Sequence, residues 1–398
     1  MLVTPLDADD EPPVDADAED LEAADTDGQA DDGGTQADET NDADGEVESD
    51  DGEADEPDSE PGSAGTDIDD GGSGAGDADD GSSDESGATS ANGDSETERT
   101  TDVDGELEIH HIDVGQADST LLVTPDGETV LIDTGDWRQD GSDVIAYLES
   151  QGVDRVDHLV ATHAHADHIG GHAAVIEHFE TDGDGIGAAY DSGVAHDSAT
   201  YENYLDAIEA HDVDLFEVEE GDELPIDGLE ATVLNPSADE SGDDLHYNSV
   251  SVAFEFGKFT YLTTGDAEAD AEQRMVEEHG GTLEADAYQA GHHGSSTSSN
   301  GPFMDAVDPE IAVISSAYDS QYGHPHEAVL EDYAERGIET YWTGVHGDVV
   351  VTTDGAAVSA ETEREFSTDA ADLREERPDE QARVATPQVD TATAGVSG

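Results

Sequence analysis

The chain has 398 residues and a formal net charge of −95, from 105 acidic and only 10 basic residues; Lys258 is its one lysine. It has no cysteine, which excludes disulfides and thiolate metal sites, and no run approaches the roughly 18 apolar residues of a membrane span. Acidity of this size with so little lysine is what proteins of extreme halophiles look like: molar salt shortens the Debye length to about 3 Å and makes the self-repulsion tolerable.

Residues 1–105 are Asp, Glu, Gly, Ser, Thr and Ala with hardly a large apolar side chain, and the first hundred hold a single basic residue, Arg99. Such a segment cannot bury enough apolar surface to offset its chain entropy, so it reads as a disordered acidic tail. Its first residues, MLVTPLDADDEPP, show neither the basic nor the apolar segment of a signal peptide.

Order is expected from Glu106. Leu107 and Ile109 alternate with polar residues as in a strand, and Ser119–Val123 and Thr129–Ile132 flank a Pro-Asp-Gly turn as a hairpin. A helix is expected over Ser142–Ser150, with Gly152 just past its end. The apolar run Val156–Ala161 reads as a buried strand leading into THAHADHIGGH (162–172), and an amphipathic helix follows over Gly170–Phe179. Ile186–Tyr190, Leu215–Val218 and Leu229–Leu234 read as strands, and Ser198–His211 as a helix. After a polar loop at 239–244, Val250–Phe256 and Phe259–Thr263 pair around Gly257-Lys258. Helices at Ala267–His279, Phe303–Val307 and Glu327–Arg336 alternate with strands at Ala285–Ala290, Ile311–Ser315, Ile338–Trp342 and Val349–Thr352. Residues 361–398 lack an apolar pattern and read as a second disordered tail, which leaves 106–360 as the folded domain. Pattern alone says α/β or α+β.

The stretch carrying the chemistry is H-x-H-x-D-H: His163, His165, Asp167 and His168. Imidazole nitrogens and carboxylate oxygens suit a borderline cation such as Zn²⁺. Alternate residues 163, 165 and 167 share one side of an extended backbone and His168 turns to a second position, a spacing that suits two metals rather than one. A histidine-rich surface loop without metal is the competing reading.

H-x-H-x-D-H after a strand resembles the signature of the metallo-β-lactamase superfamily. The wider set is similar to the metallo-β-lactamase-like domain of ComEC-type competence proteins and to phosphorylcholine esterases: HIDVGQADS (111–119), LIDTG (131–135), NSVSV (248–252), TTGDAE (263–268), GHHGSSTS (291–298), YGHPH (322–326) and VHGDV (345–349). The resemblance implies an α/β fold, the four-layer αβ/βα sandwich, and two divalent metal ions, Zn²⁺ or alternatively Mn²⁺. By that resemblance His163 and His165 hold the first metal, Asp167 and His168 the second, and Asp266 bridges them, with helix capping as a second reading for Asp266. His292 and His293 join the site, with His293 favoured as the ligand. The first metal's third ligand is left between His246 and Asn248. Asp113 and Asp133 are read as carboxylates supporting the ligands, and Asp118 as a further strand-end acid of the family motifs. His324 is read as a donor to a phosphoryl oxygen, against helix capping, and Asp266 or Asp167 as orienting the attacking water. His172, His178 and His211, on expected helices, read as surface residues.

The reaction implied is hydrolysis by hydroxide that a metal pair makes from water. The substrate implied is a phosphodiester, with DNA among the candidates, although a chain this acidic lacks the basic groove of ordinary nucleic-acid binders. Two rival readings stand beside it: a small-molecule esterase, of the phosphorylcholine-esterase or lactonase kind, and a metal-holding interaction module without catalysis. By resemblance a cell-surface or extracellular setting is implied, with a cytoplasmic one as alternative; the channel of ComEC proteins is not expected here.

Overall fold

The computed structural model describes residues 103–238 and 242–378. The expected N-terminal tail up to residue 102, positions 239–241 of the polar loop, and 379–398 lie outside the described residues.

The elements run, in chain order, β1 (Leu107–His111), β2 (Thr120–Val123), β3 (Thr129–Ile132), α1 (Ser142–Gln151), β4 (Val156–Val160), α2 (His172–Asp182), β5 (Ile186–Asp191), α3 (Ala199–His211), β6 (Leu215–Glu217) and β7 (Glu230–Asn235). They continue as β8 (Ser251–Phe256), β9 (Phe259–Thr263), α4 (Ala269–His279), β10 (Ala287–Gln289), α5 (Gly301–Val307), β11 (Ile311–Ile314), α6 (Glu327–Arg336), β12 (Glu339–Trp342), α7 (Thr343–His346), β13 (Val349–Thr353), β14 (Val358–Thr362) and α8 (Ala370–Glu376). Two sheets result, with strand orders β14-β13-β1-β2-β3-β4-β5-β6 and β12-β11-β10-β9-β8-β7.

Alternation along the strands builds the layers. In β3, Val130 and Ile132 face the other sheet while Leu131 faces the helices; in β8, Val252, Phe254 and Phe256 face inward and Ala253 outward. One core therefore lies between the sheets. A second packs the larger sheet against α1, α2 and α3, and a third packs the smaller sheet against α4, α5, α6 and α8. Burial on both faces is why the central strands read as continuous apolar runs rather than as alternation. This is a helix–sheet–sheet–helix sandwich. Among the described residues no helix is long and apolar enough to cross a membrane.

Strands β3 to β6 are parallel, as are β9 to β12. Parallel pairing needs crossovers, which α1, α2 and α3 supply in the larger sheet, and it sets the carboxyl ends of successive strands along one edge of each sheet. The loops after β3, β4, β9, β10 and β11 carry Asp133, His163–His168, Asp266, His292-His293 and His324.

The expected boundary at residue 360 needs correcting. Strand β14 pairs with β13 through Thr362, and α8 buries Ala370 and Leu373 beside Leu330, Tyr333 and Ile338. Asp369 caps α8, accepting from Ala371 N at 2.9 Å. Two small anchors three residues apart are too few to show as a helical period, and β14 is a half-exposed edge strand. Leu373→Ala is expected to cost about 2–4 kcal/mol by chemical denaturation; a loss within 0.5 kcal/mol of zero would detach α8 from the cooperative unit.

Candidate metal centre

The loop after β4 is held from three sides. Asp133 accepts from Thr162 N at 2.9 Å and from Thr162 Oγ1 at 2.7 Å. Val250 N donates to Thr162 O at 2.8 Å, and Ser249 Oγ accepts from Asp266 N at 3.1 Å. Gly265, at φ 49°, lies so close that a Cβ there would overlap Ser249 Oγ and Thr162. The Asn-Ser-Val segment thus braces the loop after β4 against the loop that delivers Asp266.

His163, His165, His246 and Asp266 form one donor group, each contributing an atom within 4.8 Å of the others. Thr162 Oγ1, which donates to Asp133, accepts from His163 Nδ1 at 3.1 Å, so His163 Nε2 keeps its lone pair. That atom lies 2.8 Å from His165 Nδ1 and 3.7 Å from Asp266 Oδ2. Burial, then the neighbouring His168, push the His163 imidazole well below its ordinary pKa, and burial with His246 beside it brings His165 down to about 4. Both rings are therefore neutral at pH 7, the form that binds a cation. Asn248 plays a different part: its amide donates to Asp244 O at 2.7 Å and fastens the loop that carries His246.

Asp118, His168, Asp266 and His293 form the second group, all four buried and within the same 4.8 Å. Asp133 Oδ2 accepts from His168 Nδ1 at 2.7 Å, and Ser315 O accepts from His293 Nδ1 at 3.1 Å, so each Nε2 faces inward. Asp118 Oδ1, His168 Nε2, Asp266 Oδ1 and His293 Nε2 are all buried without a hydrogen-bond partner. Four buried polar atoms that meet only as ion pairs, with Asp266 Oδ1 3.2 Å from His168 Nε2, converge in one space, and a divalent cation would satisfy them together. The residues fit the metals that the resemblance implies. Asp266 belongs to both groups.

Charge follows the same geometry. Burial would lift the Asp266 carboxyl, but His168, His293 and His163 around it hold it well below the usual carboxylate range. Burial would depress His168 and His293; Asp266 and Asp133 beside the first, and Asp118 and Asp266 beside the second, instead raise both well above the ordinary histidine value.

The remaining expected residues divide. Asp167 lies beside the second group rather than within it: its carboxylate is 3.4 Å from His293 Nε2 and its side chain is 31% exposed. His292 belongs to neither group and runs from Asp266 Oδ2, 3.5 Å from its Nε2, to Glu268 Oε1, 3.3 Å from its Nδ1. His324 is buried, with its ring centroid 5.8 Å from that of His292 and 6.2 Å from that of His293. The Gln116 amide donates to His324 Nδ1 at 3.2 Å, which puts the proton of this neutral ring on Nε2. Asp113 is elsewhere: its carboxylate pairs with Arg364 at 2.8 Å, so it does not support the donors. Neither capping reading holds, because α4 begins after Glu268 and α6 begins after His326, which accepts from Ser296 N. His172 is a further correction. It is fully buried at the start of α2, bonded to Thr134 Oγ1 at 2.7 Å, and burial lowers it to about 3. Two participants were underrated by sequence reasoning. Asp118 had its signal in HIDVGQADS but no assigned ligand role; Glu268 follows Asp266 in TTGDAE, where nothing in the pattern marks it.

The profile of the metallo-beta-lactamase superfamily matches residues 112–317, just over half of the chain. The chain belongs to this superfamily, a hydrolase superfamily of the metallo-β-lactamase fold. It is similar to ComE operon protein 3 of Bacillus subtilis, 31% identical over 260 residues covering 61% of this chain and 33% of that protein. It is likewise similar to competence protein ComA of Neisseria gonorrhoeae, 33% identical over 236 residues, 59% of this chain and 30% of that protein. The chain thus spans about a third of the length of these relatives. Among solved structures, the metallo-beta-lactamase fold protein YhfI of Bacillus subtilis matches 65% of this chain and 100% of its own, at 14% identity and a TM-score of 0.41.

Proposed function

We propose that the chain is a metal-dependent phosphodiesterase acting on nucleic acid. The observation that carries this reading is the pair of four-residue donor groups joined at Asp266. Divalent cations bound there would lower the pKa of water towards about 7 and draw charge from a phosphoryl group. In this reading His163, His165 and His246 serve the first cation, Asp118, His168 and His293 the second, and Asp266 serves both. Asp133, Thr162 and Ser315 fix which nitrogen of each ring faces the cations. Asp167, at the exposed edge, orients the attacking water. His324 donates its Nε2 hydrogen to a non-bridging phosphoryl oxygen. The names of the competence relatives support a nucleic-acid substrate.

The test is a substrate panel in multimolar KCl. The protein is expected to bind about two equivalents of Zn²⁺ or Mn²⁺, to cleave bis(p-nitrophenyl) phosphate, and to stop when chelated. Asp167→Ala should abolish turnover. Single-stranded DNA should be cleaved in preference to phosphorylcholine esters and lactones. A protein that holds both metals yet turns over no ester would be a binding module, and the proposal would fall.

A further inference from the structure

Four large apolar side chains are markedly exposed among the described residues: Trp137, Tyr318, Tyr322 and Phe366. Two have a structural occupation. Tyr318 stacks on Trp342 at 5.8 Å with its hydroxyl on Glu376 O, and Phe366 lies edge-on to His346. The other two lie in loops tied to the donor-bearing segments, one from each sheet: the backbone of Trp137 bonds to the loop after β4, and Tyr322 packs on His324 next to His293.

Trp137 follows β3, in the loop after Asp133. Its backbone N donates to Ala166 O at 3.1 Å, between His165 and Asp167, and Gly170 N donates to Gly135 O at 3.0 Å. Packing is close enough that a Cβ on Gly170 would overlap the Trp137 nitrogen. The Trp137 backbone is therefore fixed to the ligand loop, while 53% of the residue faces solvent. The Arg138 guanidinium covers one face at 4.8 Å and is itself paired with Asp136 at 2.7 Å. No other ring packs against the indole among the described residues. Tyr322, 59% exposed, precedes His324 in the loop after β11, with ring centroids 5.8 Å apart. Arg377 Nη2 holds that loop through Gly323 O at 3.0 Å.

We propose that Trp137 and Tyr322 are stacking platforms for the bases on either side of the scissile phosphate of a single-stranded nucleic acid. The inference rests on the phosphodiesterase reading and names its substrate class. A chain with net charge −95 repels a polyanion in dilute salt, and in molar salt phosphate contacts lose their counterion-release advantage. Stacking depends far less on salt than phosphate contacts do, and it tolerates any sequence because every base offers a π face. Duplex DNA keeps its bases stacked on one another and cannot use such platforms.

The chain has two tryptophans, and Trp342 is fully buried, so quenching of tryptophan emission by an added strand reports on Trp137. In multimolar KCl the metal-free full-length chain is expected to be quenched by a short oligothymidylate, but not by an abasic oligomer of equal length or by duplex. The midpoint should barely move as salt is raised. In the metal-loaded enzyme, Trp137→Ala and Tyr322→Ala should each raise KM for the single strand about ten-fold, with kcat and metal content unchanged, and Trp137→Phe should restore it. Equal affinity for the abasic oligomer, or no quenching, would overturn the stacking proposal and leave the hydrolase reading intact. Quenching without turnover of any phosphodiester would sink the hydrolase reading and leave the platforms standing.

Discussion

Asp266→Asn is expected to empty both cation sites and reduce turnover by at least about 10³-fold, or roughly 4 kcal/mol of transition-state stabilisation. Asp266 is 2% exposed, and its two oxygens face different partners. Oδ1 is 3.2 Å from His168 Nε2 and 3.8 Å from His293 Nε2; Oδ2 is 3.7 Å from His163 Nε2 and 3.5 Å from His292 Nε2. An amide of the same shape offers one oxygen and one N–H group, so it serves at most one cation and presents a donor to the other. Without metal, the same substitution strips the charge that His168 and His293 pair with. The chelated variant should therefore be less stable than the chelated parent, by about 3 kcal/mol in denaturant titration. A variant that keeps both metals by elemental analysis would show that the two groups are not joined through this carboxylate.

Zn²⁺ uptake by the metal-free chain at pH 7 is expected to release about two protons, one from His168 and one from His293. Both imidazoles are held well above their ordinary pKa by the carboxylates around them, and both must give up the Nε2 proton to bind a cation. Apparent affinity should then rise about 100-fold per pH unit above neutrality, until the folded-state pKa values are passed. Stability of the metal-free chain has the opposite slope. A histidine whose folded pKa is raised contributes stability that is fully present below the unfolded value near 6.5, and this is lost as pH rises through the folded value. The chelated protein should weaken from near neutrality upward, and metal should restore it most at the alkaline end. Isothermal titration in buffers of different ionisation enthalpy counts the protons; a count near zero would mean that the two rings are already neutral.

Much of the fold was legible because the strands carry their own period. Turn chemistry at Pro125-Asp126-Gly127 marked the β2–β3 hairpin, and Gly152 marked the end of α1, where it takes a left-handed conformation. The end of the domain was not legible. Helix α8 exists because Leu373 finds a slot beside Tyr333, and its own seven residues do not announce that. His172 misled for a similar reason: position on a helix is readable, but which face meets α3 and Tyr204 is decided by packing.

In the site, the chemistry on offer was legible from the residues alone: imidazoles and carboxylates in a strand-to-helix loop, a second carboxylate after β9, and no thiols. Residue type and near spacing suffice for that, since a ligand loop is local. Which of those side chains meet is a matter of packing. His246 rather than Asn248 reaches the first group, Asp118 completes the second with Asp167 beside it, and Asp113 turns away to Arg364. Those choices depend on where strand ends from two sheets meet. That meeting is fixed by the apolar packing between the sheets, which brings together residues as far apart in the chain as Asp118 and His293.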